Sequence, residues 1–124
     1  MAKTPLTVTV ITDTHYYSKK TGTKGKAYDA ANAKSQKLLK YSEELLRAAF
    51  KQIKEDKRTD IVLLSGDTTN NGEIEAHEEF IEMLRDLKKS GKRVYVLTAT
   101  HDYQDDGLTD SFVEIGRASC RERV

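Results

Sequence analysis

The chain has 124 residues, which is enough for one small domain. Its 21 basic and 20 acidic residues give a formal net charge of +1, so the composition indicates no clear nucleic-acid or membrane surface. No apolar run approaches the roughly 18 residues that span a bilayer, and no signal peptide is recognisable. We therefore expect a cytoplasmic protein, and the sequence predicts no particular oligomeric state.

The first half of the chain predicts a strand, a long loop and a helix. Leu6–Thr12 is rich in β-branched residues, which is typical of a strand. Tyr16–Lys34 is polar and contains two glycines, so we expect a loop there. Apolar residues at three- and four-residue spacing predict a helix over Ser35–Glu55, with Ser35 as its N-cap.

The second half continues the alternation of strands and helices. Ile61–Ser65 is continuously apolar, which predicts a strand buried on both faces, and the turn-rich Gly66–Gly72 follows it. Ile74–Ser90 has helical periodicity and stops at Gly91, and Val94–Leu97 is a third apolar strand. The order β-α-β-α-β predicts an α/β fold with a parallel sheet and right-handed crossovers.

Carboxylates and histidines follow all three predicted strands. The first strand runs into Asp13 and His15, the second into Asp67, and the third is followed by His101 and Asp102. Ligands of such sheets bind beyond the carboxyl ends of the strands, so we expect these side chains to meet at one edge. Side chains alternate along an extended segment, which predicts that Asp13 and His15 point the same way. Each pattern alone is weak, but their joint placement predicts a site for Mn²⁺, Fe²⁺ or Zn²⁺.

The order and context of these motifs resemble the calcineurin-like metallophosphoesterase family. The resemblance covers Leu6 to about Asp102. It is carried by the segments Asp13-Thr14-His15, Gly66-Asp67-Thr68-Thr69-Asn70-Asn71-Gly72 and Thr98-Ala99-Thr100-His101-Asp102. It implies that the chain forms a β-α-β-α-β half of a four-layer αββα sandwich. It also implies a centre of two divalent metal ions.

The resemblance gives each of these residues a role. Asp13 and His15 would hold the first metal ion, and Asp67 would bridge both ions. His101 would stabilise the developing charge on the phosphate and assist the leaving oxygen, and Asp102 would orient His101. The implied activity is that of a phosphomonoesterase or phosphodiesterase acting on a small-molecule or other phosphate ester.

Thr100 departs from the family pattern, which has an asparagine there as a ligand of the second metal. A hydroxyl is a poorer ligand than an amide carbonyl, so the second site would be weak, be completed by water, or borrow Asn70 or Asn71. This departure supports an alternative, a non-catalytic metal- or phosphate-binding module. A flavodoxin-like binding domain would explain the strand order but not the placement of aspartate and histidine. His77, in mid-helix, is interpreted as a surface or helix-packing residue.

The end of the chain does not look like the rest. Glu114–Val124 reads EIGRASCRERV, which resembles the in-frame translation of a common sequencing-library adapter. We therefore expect residues 1–113 to be the N-terminal part of a metallophosphoesterase domain and residues 114–124 to be a non-native tail. The family's later histidine motifs would then be missing, and one apolar face of the sheet would lack its cover. We expect the truncated chain to be poorly stable and essentially inactive, and its full-length parent to be a hydrolase.

Overall fold

A parallel sheet forms the centre of the molecule. The structure, a computed structural model, describes residues 3–34 and 36–103. Its three strands are β1 (Val8–Ile11), β2 (Ile61–Leu64) and β3 (Arg93–Val96). They lie in the order β1-β2-β3, and both neighbouring pairs are parallel. The predicted α/β class and the predicted parallel sheet are confirmed.

Within the described residues, three α-helices lie between these strands along the chain. They are α1 (Lys26–Lys34), α2 (Ser42–Glu55) and α3 (Ile74–Lys89). Short 3₁₀ turns occur at Lys19–Thr21, Leu39–Tyr41 and Thr100–Asp102. Within the described residues, no helix is both long enough and apolar enough to cross a membrane.

The core lies between the sheet and the helices α2 and α3. The apolar stripes of both helices pack on the same face of the sheet, and the rings of Phe50 and Phe80 meet there with centroids 6.0 Å apart. The buried members of this cluster are Tyr16, Leu46, Phe50, Ile53, Val62, Leu64, Ala76, Phe80, Met83, Leu84, Leu87 and Val94. Right-handed crossovers that advance across the sheet in one direction place both helices on one side, which explains this packing.

The opposite face of the sheet is uncovered in the described residues. Val8, Val10 and Tyr95 are exposed there, and the residues of β2 alternate between half-buried and buried. The prediction that Ile61–Ser65 is buried on both faces is therefore wrong for the part of the chain that the structure describes. The physical reason is that both helices cover the same side. Within residues 3–34 and 36–103, the expected apolar surface is present and has no cover.

The segment between β1 and β2 differs most from the prediction. The predicted loop Tyr16–Lys34 contains α1, which buries none of its residues and so has no apolar stripe to reveal it. The predicted helix Ser35–Glu55 becomes a 3₁₀ turn followed by α2, which begins at Ser42. Leu38 and Leu45 are 59% and 54% exposed, so part of the apolar spacing does not face the core. The N-cap predicted at Ser35 lies outside the described residues.

The two faces of the sheet should respond differently to the same substitution. Val62 in β2 is 0% exposed, whereas Val10 in β1 is 58% exposed. We expect Val62→Ala to lower the free energy of unfolding by about 2 kcal/mol, because it removes buried methyl groups and leaves a cavity. The matched control Val10→Ala should cost less than about 0.5 kcal/mol. Urea unfolding of both variants measures this, and equal losses would contradict the one-sided core.

Candidate metal centre

The segments that follow β1 and β2 remain hydrogen-bonded to each other beyond the sheet. The backbone N–H of His15 donates to the carbonyl of Asp67 at 3.0 Å, and that of Tyr16 donates to the carbonyl of Thr68 at 2.8 Å. These bonds continue the parallel pairing of the strands past their ends. They hold the two predicted ligand loops side by side through the backbone, independently of any side chain.

Asp13, His15 and Asp67 all have a left-handed backbone. Their φ angles are 53°, 41° and 48°, which lie in the left-handed region, whereas the φ of 19° at Leu38 falls short of it. This conformation costs an L-residue about 1 kcal/mol or more, and such strain tends to concentrate at functional sites. The expectation of an extended segment, with side chains alternating from Asp13 to His15, is wrong because β1 ends at Ile11. The two side chains converge through left-handed turns instead.

Gly66 allows the end of β2 to approach the segment after β3. Its φ is 112°, and a Cβ at this position would lie 2.6 Å from the Cβ of Ala99. Any larger residue would combine a strained backbone with a steric overlap. The glycine that precedes Asp67 therefore brings the second and third strand ends together.

The three predicted ligands come together at one place. One ligand atom from each of Asp13, His15 and Asp67 lies within 4.8 Å of the other two. The Nε2 atom of His15 is 3.8 Å from Oδ1 of Asp13, and the buried Nδ1 of His15 has no hydrogen-bond partner among the described residues. Two carboxylates and one imidazole suit a divalent transition metal. The site residues therefore fit a metal ion, although metal binding itself stays a prediction.

The surroundings of His15 favour its neutral form. Burial lowers the pKa of the imidazole, and the positive charge of Lys37 and the nearby His101 lower it further. The carboxylates of Asp67 and Asp13 raise the pKa, but by less than these effects lower it. Neutral imidazole is the form that binds a metal, so the apoprotein already presents His15 in the protonation state that a metal requires.

His101 lies against this ligand group. Its ring meets the ring of His15 edge-on with centroids 4.8 Å apart, and its backbone N–H donates to Oδ1 of Asp67 at 3.0 Å. Its Nδ1 is 2.8 Å from the carbonyl oxygen of Asn70. Because a carbonyl only accepts, this contact places a hydrogen on Nδ1. The Nε2 atom is then the nitrogen of His101 that can exchange a proton.

Asp102 is buried and bonded to the loop that carries Asp67. Its carboxylate accepts hydrogen bonds from the Thr68 hydroxyl at 2.7 Å, the Thr69 N–H at 2.9 Å and the Ala99 N–H at 3.0 Å. Burial raises the pKa of Asp102, but these bonds outweigh it and hold the pKa below its ordinary value. Within the described residues no hydrogen bond joins this carboxylate to the ring of His101. The hydrogen bonds of Asp102 fix the loop of Asp67 and the segment that carries His101. The expected role of Asp102 in orienting His101 stays a prediction.

Three further residues complete the surroundings of the site. His77 is fully buried, so the surface alternative is wrong, and the helix-packing alternative stays a prediction. Tyr16 is also fully buried, and its hydroxyl donates to Glu79 at 2.6 Å, which ties the residue after His15 to α3. Thr100 is exposed. The sequence pointed to neither the burial of Tyr16 nor its bond to Glu79, because an isolated tyrosine in a polar stretch carries no periodic signal.

Replacing the Asp102 carboxylate should loosen the loop between β2 and α3. We expect Asp102→Asn to lower the free energy of unfolding by about 2–4 kcal/mol, because it turns one buried acceptor into a donor that faces other donors. Hydrogen exchange of the Thr69 amide should accelerate in parallel. The control Asp86→Asn removes an exposed carboxylate paired with Lys54 and should leave the free energy of unfolding almost unchanged, because solvent screens the pair. An unchanged Thr69 exchange rate in Asp102→Asn would contradict the anchoring role.

Comparison with known families agrees with the geometry of this site. The model of the family described as calcineurin-like phosphoesterase matches residues 6–119. The match extends past Val113, so the boundary between the domain and the tail stays a prediction. A search of curated proteins finds no match. With most of its length matched, the chain belongs to the calcineurin-like phosphoesterase family.

Proposed function

We propose that this chain belongs to a hydrolase of phosphoric monoesters or diesters that uses two divalent metal ions. The observation that supports the proposal most is the group formed by Asp13, His15 and Asp67, whose ligand atoms lie within 4.8 Å of one another. These three residues are also the described residues, apart from glycines, whose backbone lies in the left-handed region. A solvated surface cluster would give no reason for strain at all three positions.

In this proposal each ligand has a separate task. Asp13 and His15 would hold one ion, and Asp67 would be shared between both ions. Bound divalent ions, whether Mn²⁺, Fe²⁺ or Zn²⁺, supply positive charge that neutralises the phosphoryl group. Asp67 is well suited to a shared position because its Oδ1 already accepts the backbone N–H of His101, which fixes the orientation of the carboxylate.

His101 handles the proton of the leaving oxygen. Its Nδ1 is held by the carbonyl of Asn70, so the ring cannot rotate freely and Nε2 is the atom that donates or accepts. The carbonyl dipole also stabilises positive charge on the ring when Nε2 is protonated. Asp102 contributes indirectly, because its bonds fix the segment on which His101 lies.

The second metal position is the weaker one in this proposal. Thr100 replaces an amide ligand there, and the side chain of Asn70 is already engaged. Its Oδ1 lies 3.4 Å from Nζ of Lys37, and its Nδ2 donates to Glu73 at 3.3 Å. The second ion would therefore bind less tightly than the first, with water completing its coordination. For the same reason, a module that binds one metal without catalysis is the second candidate function.

Metal titration distinguishes the two candidates. With Mn²⁺ as the probe, we expect one tight and one weaker site by isothermal titration calorimetry. Asp13→Asn and Asp67→Asn should each weaken the tight site by about 100-fold, because each replaces an anionic ligand by a neutral one. Asparagine also tolerates the left-handed backbone, so both variants should fold. The control Asp29→Asn, on the exposed side of α1, should bind as the unmodified chain does.

One tight site without turnover would favour the binding module over the hydrolase. Equal Mn²⁺ affinity in Asp13→Asn and in the unmodified chain would contradict the assignment of the ligands. Circular dichroism of each variant excludes loss of fold as the cause of weaker binding.

We further propose that the 124-residue chain is essentially inactive by itself. One face of the sheet is uncovered in the described residues. The candidate ligand group among those residues has three members. With bis(p-nitrophenyl) phosphate and Mn²⁺, we expect release of p-nitrophenol close to the uncatalysed background. A longer chain that supplies the family's later histidine motifs should raise the rate by at least about 1,000-fold. Rapid turnover by the 124-residue chain, or no turnover by the longer metal-loaded chain, would refute this proposal.

A further inference from the structure

Lys37 lies beside the candidate metal centre, in the segment between α1 and α2. Its Nζ atom is 3.3 Å from Nδ1 of His101. The same atom is 3.4 Å from Oδ1 of Asn70 and 3.5 Å from its carbonyl oxygen. The side chain therefore crosses from the segment before α2 to the two loops that follow β2 and β3. The predicted helix Ser35–Glu55 includes Lys37, so helical periodicity does not reveal these contacts.

Lys37 faces the same cavity as two of the predicted ligands. A cleft of about 760 Å³ is lined by Asp13, His15, Lys34 and Lys37 on its polar side. Leucines of the α2 region line the other side of the cleft. A ligand that enters this cleft and binds beside Asp13 and His15 therefore also contacts the ammonium group of Lys37.

The contact between Lys37 and His101 joins two hydrogen-bond donors. The shorter contact of His101 Nδ1, 2.8 Å to the Asn70 carbonyl, places a hydrogen on that nitrogen. An ammonium has no acceptor, so it cannot bond to Nδ1 in this tautomer although it is 3.3 Å away. Two donors this close repel each other unless an acceptor or an anion lies beside both. The carbonyl oxygen of Asn70 is such an acceptor, since it lies 2.8 Å from Nδ1 of His101 and 3.5 Å from Nζ of Lys37. It holds the positive charge of Lys37 at this end of the cleft, and a positive charge held there favours an anion.

We propose that the ammonium of Lys37 binds the phosphate group of the substrate next to the metal ion at Asp13, His15 and Asp67. This inference rests on the proposed hydrolase function, because it takes the anion to be a phosphoryl group. Lys37 supplies positive charge beside Asn70 and His101, next to the candidate ligand group. An ammonium in contact with phosphate oxygens forms charge-assisted hydrogen bonds, which are about twice as strong as neutral ones.

Inorganic phosphate is a direct probe of this site. We would titrate phosphate into the 124-residue chain by isothermal titration calorimetry, with and without saturating Mn²⁺. Lys37→Met should weaken phosphate binding by about 10-fold or more, because one charge-assisted contact is lost. Lys37→Arg keeps the charge and should restore the affinity to within about 3-fold. The matched control Lys40→Met, whose ammonium lies over the ring of Tyr41, should change it by less than about 2-fold.

The Mn²⁺ affinity of the same variants separates the two proposals. We expect Lys37→Met to bind Mn²⁺ at least as tightly as the unmodified chain, since it removes a positive charge from the site. Equal phosphate affinity in Lys37→Met and in the unmodified chain, or no phosphate binding by the unmodified chain, would overturn the role of Lys37. The hydrolase proposal would still stand if Asp13→Asn loses Mn²⁺. Absence of Mn²⁺ binding would count against the hydrolase, and the titration without Mn²⁺ would still decide whether Lys37 binds phosphate.

Discussion

The carboxylate of Asp102 joins two of the three strand ends. It accepts hydrogen bonds from Thr68 and Thr69, which follow β2, and from Ala99, which follows β3. A buried carboxylate with this many donors is stable only while all of them stay in place, because an unpaired buried charge is costly. The loop of Asp67 and the segment of His101 are therefore fixed to each other before any ligand binds. The backbone bonds between the segments after β1 and β2 add the third strand end to the same unit.

The apolar core and the candidate metal ligands lie in different parts of this fold. The helices α2 and α3 pack their apolar stripes on one face of the sheet and leave the carboxyl edge of the strands open. The candidate ligands lie at that edge, so their side chains contribute little to the core. Tyr16 connects the two regions, because its ring packs in the core while its backbone pairs with the loop after β2. This arrangement explains how a site with three strained residues is tolerated by a sheet with only one covered face.

The sequence was sufficient for the alternation of the three strands with α2 and α3, and for the meeting of Asp13, His15 and Asp67. Parallel strands must end at one edge, so residues that follow successive strands are brought together whatever their local conformation. Features that depend on side-chain contacts were not accessible in this way. The start of α2, the exposed α1 and the bonds of Asp102 follow from tertiary packing, which apolar spacing does not encode. Side-chain alternation along an extended strand predicted that Asp13 and His15 meet, but the strand ends before them. Left-handed turns bring the two side chains together, and such turns have no periodic signature in a sequence.

The left-handed backbone at the three candidate ligands bears on how this protein tolerates mutation. Glycine adopts such a conformation without a steric penalty, and asparagine adopts it more readily than histidine. Selection for thermal stability alone would therefore replace these positions and improve the fold, while it removed the donor atoms. Variants selected only for resistance to heat should therefore lose the candidate metal ligands. Such a conflict is common where activity requires a strained site. Stabilising substitutions without this conflict are more readily found on the helix α1, which buries none of its residues and contains none of the three ligands.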